Sequence, residues 1–398
     1  MNIKRRIRIA AILITATVAL SLMQGCHRGQ DAEAADSLTK ETEPVKETTV
    51  SEDSESPQEE DIDNTMLNLE KSDAVSYSEI PVSEKEDKEE EEESPADPQD
   101  DILRTGDGKI IVDLVMFMGQ SNMSGTGGNA AYAPKVDEGH GYEFRAISDP
   151  TRLYPISEPF GINENDAISD TFIGKKGSLV SAFANRYYEL THVPIVAVSA
   201  SAGGRDTEFF MSAPVMADFS ERQKRAQVWL TSNDYSIRKQ YVVWLQGESD
   251  AGDGTTGEQY NQNMDNIIRP LFIGGVQKVF MITPGRTITG KYFFDNIVYS
   301  QINMCRTSGY YALATTVLNS VSTEFMVDEF HYNQSVLNIV GTEAAESAAY
   351  YTLNRKEKCL YNYRDEEVYV PEGFDYTEDE KKVERIDYNS NGGFVRYE

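Results

Sequence analysis

Four histidines, three cysteines and two tryptophans are all that this chain of 398 residues holds of those types, and its 37 basic residues face 66 acidic ones. Each scarcity removes a class of function. Three cysteines cannot build a disulfide framework in a chain of this length. No Cys/His spacing suits zinc, so neither a metal nor another cofactor is expected. No glycine-rich loop ending in Lys-Ser/Thr is present to cradle a phosphate, and a net charge of −29 argues against a nucleic-acid partner. An imidazole base, if the chain uses one, is His27, His140, His192 or His331.

The acidic excess is concentrated near one end. Residues 1–26 have a basic start (Lys4, Arg5, Arg6, Arg8), an apolar stretch from Ile9 to Leu22, and then Met23-Gln24-Gly25-Cys26. That is the form of a secretion signal. Gly25 before Cys26 resembles a bacterial lipobox, in which the cysteine is diacylated; lipid anchoring at Cys26 on the outer face of a bacterial membrane is the expectation. From His27 to Asp101 there are 27 acidic and 6 basic residues, including the run Glu89 to Glu93. Self-repulsion and low hydrophobicity predict a disordered acidic tether over 27–106, able to carry an anchored domain away from the membrane.

Between Lys109 and Asn354 apolar runs alternate with amphipathic stretches, the pattern of parallel strands joined by helical crossovers in an α/β domain, here 107–356. Strands are predicted at Ile111–Met118, Ile195–Ser199, Tyr241–Leu245, Val279–Ile282 and Tyr311–Val317. Helices are predicted at Ser178–Leu190, Gly257–Ile268, Asp295–Arg306 and Gln334–Leu353. Ala130 to Phe172 shows no clear periodicity and is expected to wall a site, its Tyr142, Phe144 and Phe160 forming either a platform for a ligand ring or a small core of their own. The polar tail 357–398 is rich in tyrosine, for stacking on a ligand or for packing back on the domain. Cys305 and Cys359 are equally compatible with a bridge and with two free thiols.

Four segments carry chemistry. VDLVMFMGQSNMSGTGG, Val112 to Gly128, passes from an apolar strand into Gly119-Gln120-Ser121-Asn122, where a nucleophilic serine would stand. PIVAVSASAGG ends in Gly203 and Gly204, whose amides can face an oxyanion without a Cβ in the way. YVVWLQGESDA ends in Gln246-Gly247-Glu248-Ser249-Asp250. In VDEFHYN, Asp328 precedes His331 by three residues just before a helical pattern, close enough to orient the imidazole. Serine needs such a base because its hydroxyl is a weak nucleophile near neutral pH.

Gly119-Gln120-Ser121-Asn122-Met123, Gln246-Gly247-Glu248-Ser249-Asp250 and Asp328-x-x-His331 together resemble the blocks of the sialate O-acetylesterase and carbohydrate esterase family six branch of the SGNH hydrolases. The resemblance spans about Lys109 to Asn354. It implies a three-layer α/β/α sandwich with a parallel, flavodoxin-like sheet. It implies deacetylation of sugar hydroxyls through Ser121 as nucleophile, His331 as general base and Asp328 as its partner. The oxyanion hole would comprise the Ser121 amide, an amide of Gly203 or Gly204, and the Gln246 side chain. Gln120 and Asn122 are candidates for contacting substrate or supporting these groups. Glu248 is a second carboxylate on His331, an acceptor for a sugar hydroxyl, or simply hydrogen-bonded to nearby backbone. Asp250 is a weaker candidate. Arg205 either meets a charged sugar carboxylate or makes a structural ion pair.

The function so implied is a cell-surface esterase acting on an acetylated polysaccharide or sialic acid through an acetyl-serine. Two alternatives stand beside it: a lipase or thioesterase of the same superfamily, and a surface carbohydrate-binding protein without chemistry. The sugar and the oligomeric state are not legible in the residues.

Overall fold

The computed structural model describes residues 103–164, 174–291, 294–388 and 394–397; the signal segment, Cys26, nearly all of the acidic stretch and residues 165–173 lie outside the described residues. Seven strands form one sheet: β1 (Ile110–Gly119), β2 (Gly141–Phe144), β3 (Leu153–Pro155), β4 (Ile195–Ser201), β5 (Tyr235–Leu245), β6 (Lys278–Ile282) and β7 (Tyr311–Thr315). Their order is β3-β2-β4-β1-β5-β6-β7, parallel throughout except for the antiparallel edge pair β2–β3. Without that edge pair the order becomes second, first, third, fourth, fifth, which is the flavodoxin-like winding.

The strands are apolar throughout because both faces of the sheet are covered. Along β1, Val112, Leu114, Met116 and Met118 enter one core cluster, and Val115 and Phe117 enter the other. Helices Ala213–Ser232, Gly257–Ile273 and Asp295–Thr307 pack on the first face. Helices Val180–Thr191 and Gln334–Asn354 pack on the second. The chain is therefore a three-layer α/β/α sandwich. Each fully buried Leu, Ile, Val or Phe in these layers is worth about 1.5–3 kcal/mol relative to exposure, and this burial opposes the entropy of ordering the chain.

All five expected strands and all four expected helices are present, with ends moved by a few residues, most at the start of β5. Helix Ala213–Ser232 was not expected, because its buried stripe includes Arg222 and Gln223 beside Val215, Phe219, Ala226 and Leu230. Arg222 is fully buried and bonds Glu164 Oε2 at 3.0 Å, Asp218 Oδ2 at 2.7 Å and the Ser199 carbonyl at 2.9 Å. An ion pair thus stands where the apolar period would continue.

Two readings that the sequence left open are decided. The stretch after residue 130 supplies β2 and β3, which extend the sheet; Phe144 and Phe160 are buried, Phe160 lying edge-on to Phe117 with ring centroids 5.7 Å apart, and Tyr142 packs against the core. These rings support the fold and offer no sugar platform. In the tail, Leu360–Asn362 and Glu367–Tyr369 form one hairpin, and Arg385–Tyr388 and Phe394–Tyr397 form another. Tyr369 is 1 % exposed and joins the core with Leu360. Cys305 and Cys359 are both buried and unpaired.

β1 ends at Gly119, flanked in register by Ser201 of β4 and Leu245 of β5. Its φ is +136°, and a Cβ there would lie 2.0 Å from the Leu245 carbonyl oxygen. Gly119→Ala is therefore expected to lower unfolding stability by more than about 2 kcal/mol, read by urea denaturation; a change under about 0.5 kcal/mol would show that the strand end can shift freely.

Candidate active site

β4, β1 and β5 are adjacent, so the loops after their carboxyl ends meet at one place, where open α/β sheets bind ligands. Ser121 is the first residue of a four-residue helix that follows Gly119 and Gln120 directly. At such a position the backbone N–H has no partner inside the helix. Gly125, at φ +80°, closes this short helix by donating its N–H to the Ser121 carbonyl. In front of Ser121 lies a cavity of about 370 Å³, whose lining includes Gln120, Gly204, Glu248, Phe330 and His331.

The candidate base arrives from the opposite end of the chain. Asp328 Oδ2 lies 2.8 Å from His331 Nδ1, while its Oδ1 accepts the amides of Phe330 and His331, each at 3.0 Å. One carboxylate thus fixes both the imidazole and the turn that carries it, leaving Nε2 as the ring nitrogen free for chemistry. Burial works to raise the Asp328 carboxyl, but the bond to the His331 ring, the Phe330 amide and the imidazole's charge outweigh it and hold the carboxyl below its ordinary range. Asp137 and His140 share the same spacing, but they stand 4.0 Å apart, and His140 stacks on Tyr188, its ring centroid 4.0 Å from the tyrosine's. His140 is not part of the cavity lining.

Two side chains flanking Ser121 tie the segments together. Asn122 Nδ2 donates to Glu248 Oε1 at 2.7 Å and to the Phe330 carbonyl at 3.1 Å, and its Oδ1 accepts the Tyr332 amide at 3.4 Å. The residue after the serine therefore clamps both the Glu248 segment and the His331 turn. Gly127 lets the glycine-rich loop lie directly on that turn, since a Cβ there would be 2.8 Å from His331 Cβ and 2.3 Å from the Tyr332 carbonyl oxygen. The Gly-rich composition was visible in the sequence; its contact with a segment two hundred residues away was not.

The expected oxyanion donors are distributed differently. Gly204 is exposed and lines the cavity, whereas Gly203 is buried and does not, which distinguishes the two glycines that sequence left equal. Gln246 is fully buried, and its amide nitrogen donates to Asp250 and to the Arg205 carbonyl at 3.2 Å. Both of its N–H groups are thereby engaged away from the cavity, so the arrangement corrects the expectation that Gln246 donates to an oxyanion. Gln120, by contrast, lines the cavity, and its Oε1 accepts the amides of Gly247 and Ser249, both at 3.3 Å. Those two donors fix the orientation of the Gln120 side chain and leave its N–H₂ group available.

Asp250 accepts from Thr207 and Gln246 in the interior and serves as a structural anchor; burial pushes its carboxyl up against those bonds. Arg205 lies over the Phe209 ring, 4.5 Å from its centroid, and is not part of the cavity lining. Glu248 is 6 % exposed, with Oε2 unpartnered among the described residues. Burial pushes its carboxyl up, opposed by the Asn122 hydrogen bond and by the charge of His331. No group of three or more His, Cys, Asp or Glu able to hold a metal occurs among the described residues.

The sequence profile of the family described as carbohydrate esterase, sialic acid-specific acetylesterase, matches residues 111–349. Among solved structures, the chain is similar to a protein of Arabidopsis thaliana, at 18% identity over 60% of this chain and 97% of that one, with a TM-score of 0.45. It is similar to a carbohydrate acetylesterase from Xanthomonas citri, at 16% identity over 63% of this chain and 58% of that one, TM-score 0.41. A catalytic mutant of an acetylxylan esterase from Geobacillus stearothermophilus aligns at 13% identity over 59% of this chain and 94% of that one, TM-score 0.34. No curated protein matches the chain by sequence. Since the profile runs from β1 into the last helix and takes in every segment of the cavity, the chain belongs to the carbohydrate esterase family of sialic acid-specific acetylesterases.

Proposed function

We propose that this carbohydrate esterase removes O-acetyl groups from glycans through an acetyl-serine intermediate on Ser121. The observation that carries the mechanism is the 2.8 Å Asp328–His331 pair opening onto the same cavity as the serine. Ser121 Oγ attacks the acetyl carbonyl carbon as its proton passes to His331 Nε2. The bond from that carbon to the sugar oxygen then breaks, and the imidazolium returns the proton to the departing hydroxyl. Water, deprotonated by the same imidazole, releases acetate and restores the serine. Charge on the carbonyl oxygen is met by the amides of Ser121 and Gly204 and by the Gln120 side-chain amide, which takes the place first assigned to Gln246.

Delivery to a cell surface rests on the sequence of residues 1–26, whose basic, apolar and Gly25-Cys26 portions support a lipid anchor.

Ser121→Ala and His331→Ala are each expected to lower kcat for 4-nitrophenyl acetate at least about 10³-fold with the far-UV circular dichroism unchanged; wild-type-like turnover in either variant ends the assignment. Asp328→Asn is expected to lose less than His331→Ala, because the carboxylate orients the ring and transfers no proton. Gln120→Ala should lower kcat by about 10²-fold with little change in KM. Gln246→Met should instead lower the melting temperature, by removing two buried hydrogen bonds. The reverse pattern would assign the donor to Gln246.

A further inference from the structure

The helix that carries Ser121 has only four residues, too few to be stable without tertiary anchors. Asn122 anchors it on the side of the His331 turn. Its last residue is tied elsewhere: Ser124 Oγ donates to Ser201 Oγ at 2.8 Å, and Ser201 ends β4, in register with Gly119 of β1. Lys175 Nζ reaches the same oxygen, donating to Ser201 Oγ at 3.1 Å and to Ser199 Oγ at 3.3 Å. Ser199 and Ser201 share one face of β4, because alternate residues of a strand point the same way. All three serines are buried, and Lys175 itself is only 6 % exposed.

This network has a fixed direction. An ammonium only donates and a hydroxyl oxygen has two lone pairs, so donation from both Lys175 and Ser124 fills the acceptor capacity of Ser201. The backbone beside the lysine grips the same helix end. The Lys176 amide donates to the Gly125 carbonyl at 3.3 Å, and a Cβ on Gly125 would lie 1.9 Å from the Gly177 carbonyl oxygen. Burying an ammonium is costly, and an apolar side chain of similar volume often serves a fold as well or better. Lys175 is not among the described residues that line the cavity, so its path to Ser121 runs through Ser201 and Ser124.

We propose that Lys175 is a positioning residue for the nucleophile, fixing the turn of helix that carries Ser121 through Ser201 and Ser124. The inference rests on the esterase reading above and adds to it a residue outside the substrate cavity. With the lysine in place, Ser201 accepts and Ser124 donates, which holds the last residue of the helix to the end of β4. Without it, the Ser201 hydroxyl can turn and reverse that bond, and the helix end gains a second arrangement. Misplacing a reacting atom by about 1 Å costs up to about 10²-fold in rate, while substrate binding, in which the lysine has no part, is kept.

The test measures kcat and KM for 4-nitrophenyl acetate on the full chain, with kcat expressed per serine labelled to completion by a fluorophosphonate. Lys175→Met is expected to lower kcat about 10- to 100-fold with KM held within about twofold. Ser124→Ala, a smaller change at the other end of the network, is expected to lower kcat about fivefold. The two together should lose no more than about twofold beyond Lys175→Met alone, because one path carries both effects. A lysine that only stabilises the fold would lower the melting temperature and leave kcat below that temperature within about twofold of wild type, which overturns the proposal, as do losses that multiply in the double variant. Should Lys175→Met fail to fold, Ser201→Ala removes the oxygen that Lys175 and Ser124 share and is expected to lower kcat about tenfold at unchanged KM; a wild-type kcat there overturns the proposal. A wild-type chain that neither turns over 4-nitrophenyl acetate nor takes up the fluorophosphonate would instead remove the esterase reading itself, and this inference with it.

Discussion

The close approach of β1 to β5 at Gly119 is the constraint on which the site depends. With Leu245 directly across from it, the strand can turn out of the sheet at once only if position 119 has no side chain. Ser121 then falls at the head of a short helix, its amide freed by helix geometry and its side chain at the mouth of the sheet. The neighbouring strands end in step, at Ser201 and Leu245, so Gly204 and Glu248 emerge within reach of the same cavity. The winding of the sheet makes the centre; no single loop does.

Polar groups inside that centre are almost fully committed, and the commitments set their roles. Asn122 spends both of its amide hydrogens on holding Glu248 and the His331 turn. Gln246 spends its own on Asp250 and Arg205. Gln120 engages only its oxygen. In a buried site an amide already bonded twice cannot also meet a transient oxyanion, so hydrogen-bond accounting, more than residue type, divides supporting groups from reacting ones.

Much of this is legible in the amino-acid sequence. The apolar runs of the five central strands are unbroken because both sheet faces are covered, and the glycines after them mark where the chain leaves the sheet. Asp328 and His331 were legible as a pair because their spacing is local. What escaped was set by tertiary contact. Arg222 interrupts the apolar stripe of its helix because Glu164, a distant residue, neutralises it in the interior. The direction of the Gln246 amide depends on Arg205 and Asp250, and which of Gly203 and Gly204 faces the cavity depends on the turn between them and β4. β2 and β3 are too short to show a period of two.

The order of the parts along the chain has a consequence for how the protein is born. Ser121 and its supporting strands are synthesised first, while Asp328 and His331 stand at the threshold of Gln334–Asn354, the last long helix. A nascent chain that has placed its serine still waits for the His331 turn, which lies against Asn122 and Gly127 in the finished fold. The two turns therefore meet late in synthesis, by way of the segment that also supplies a helix of the second layer.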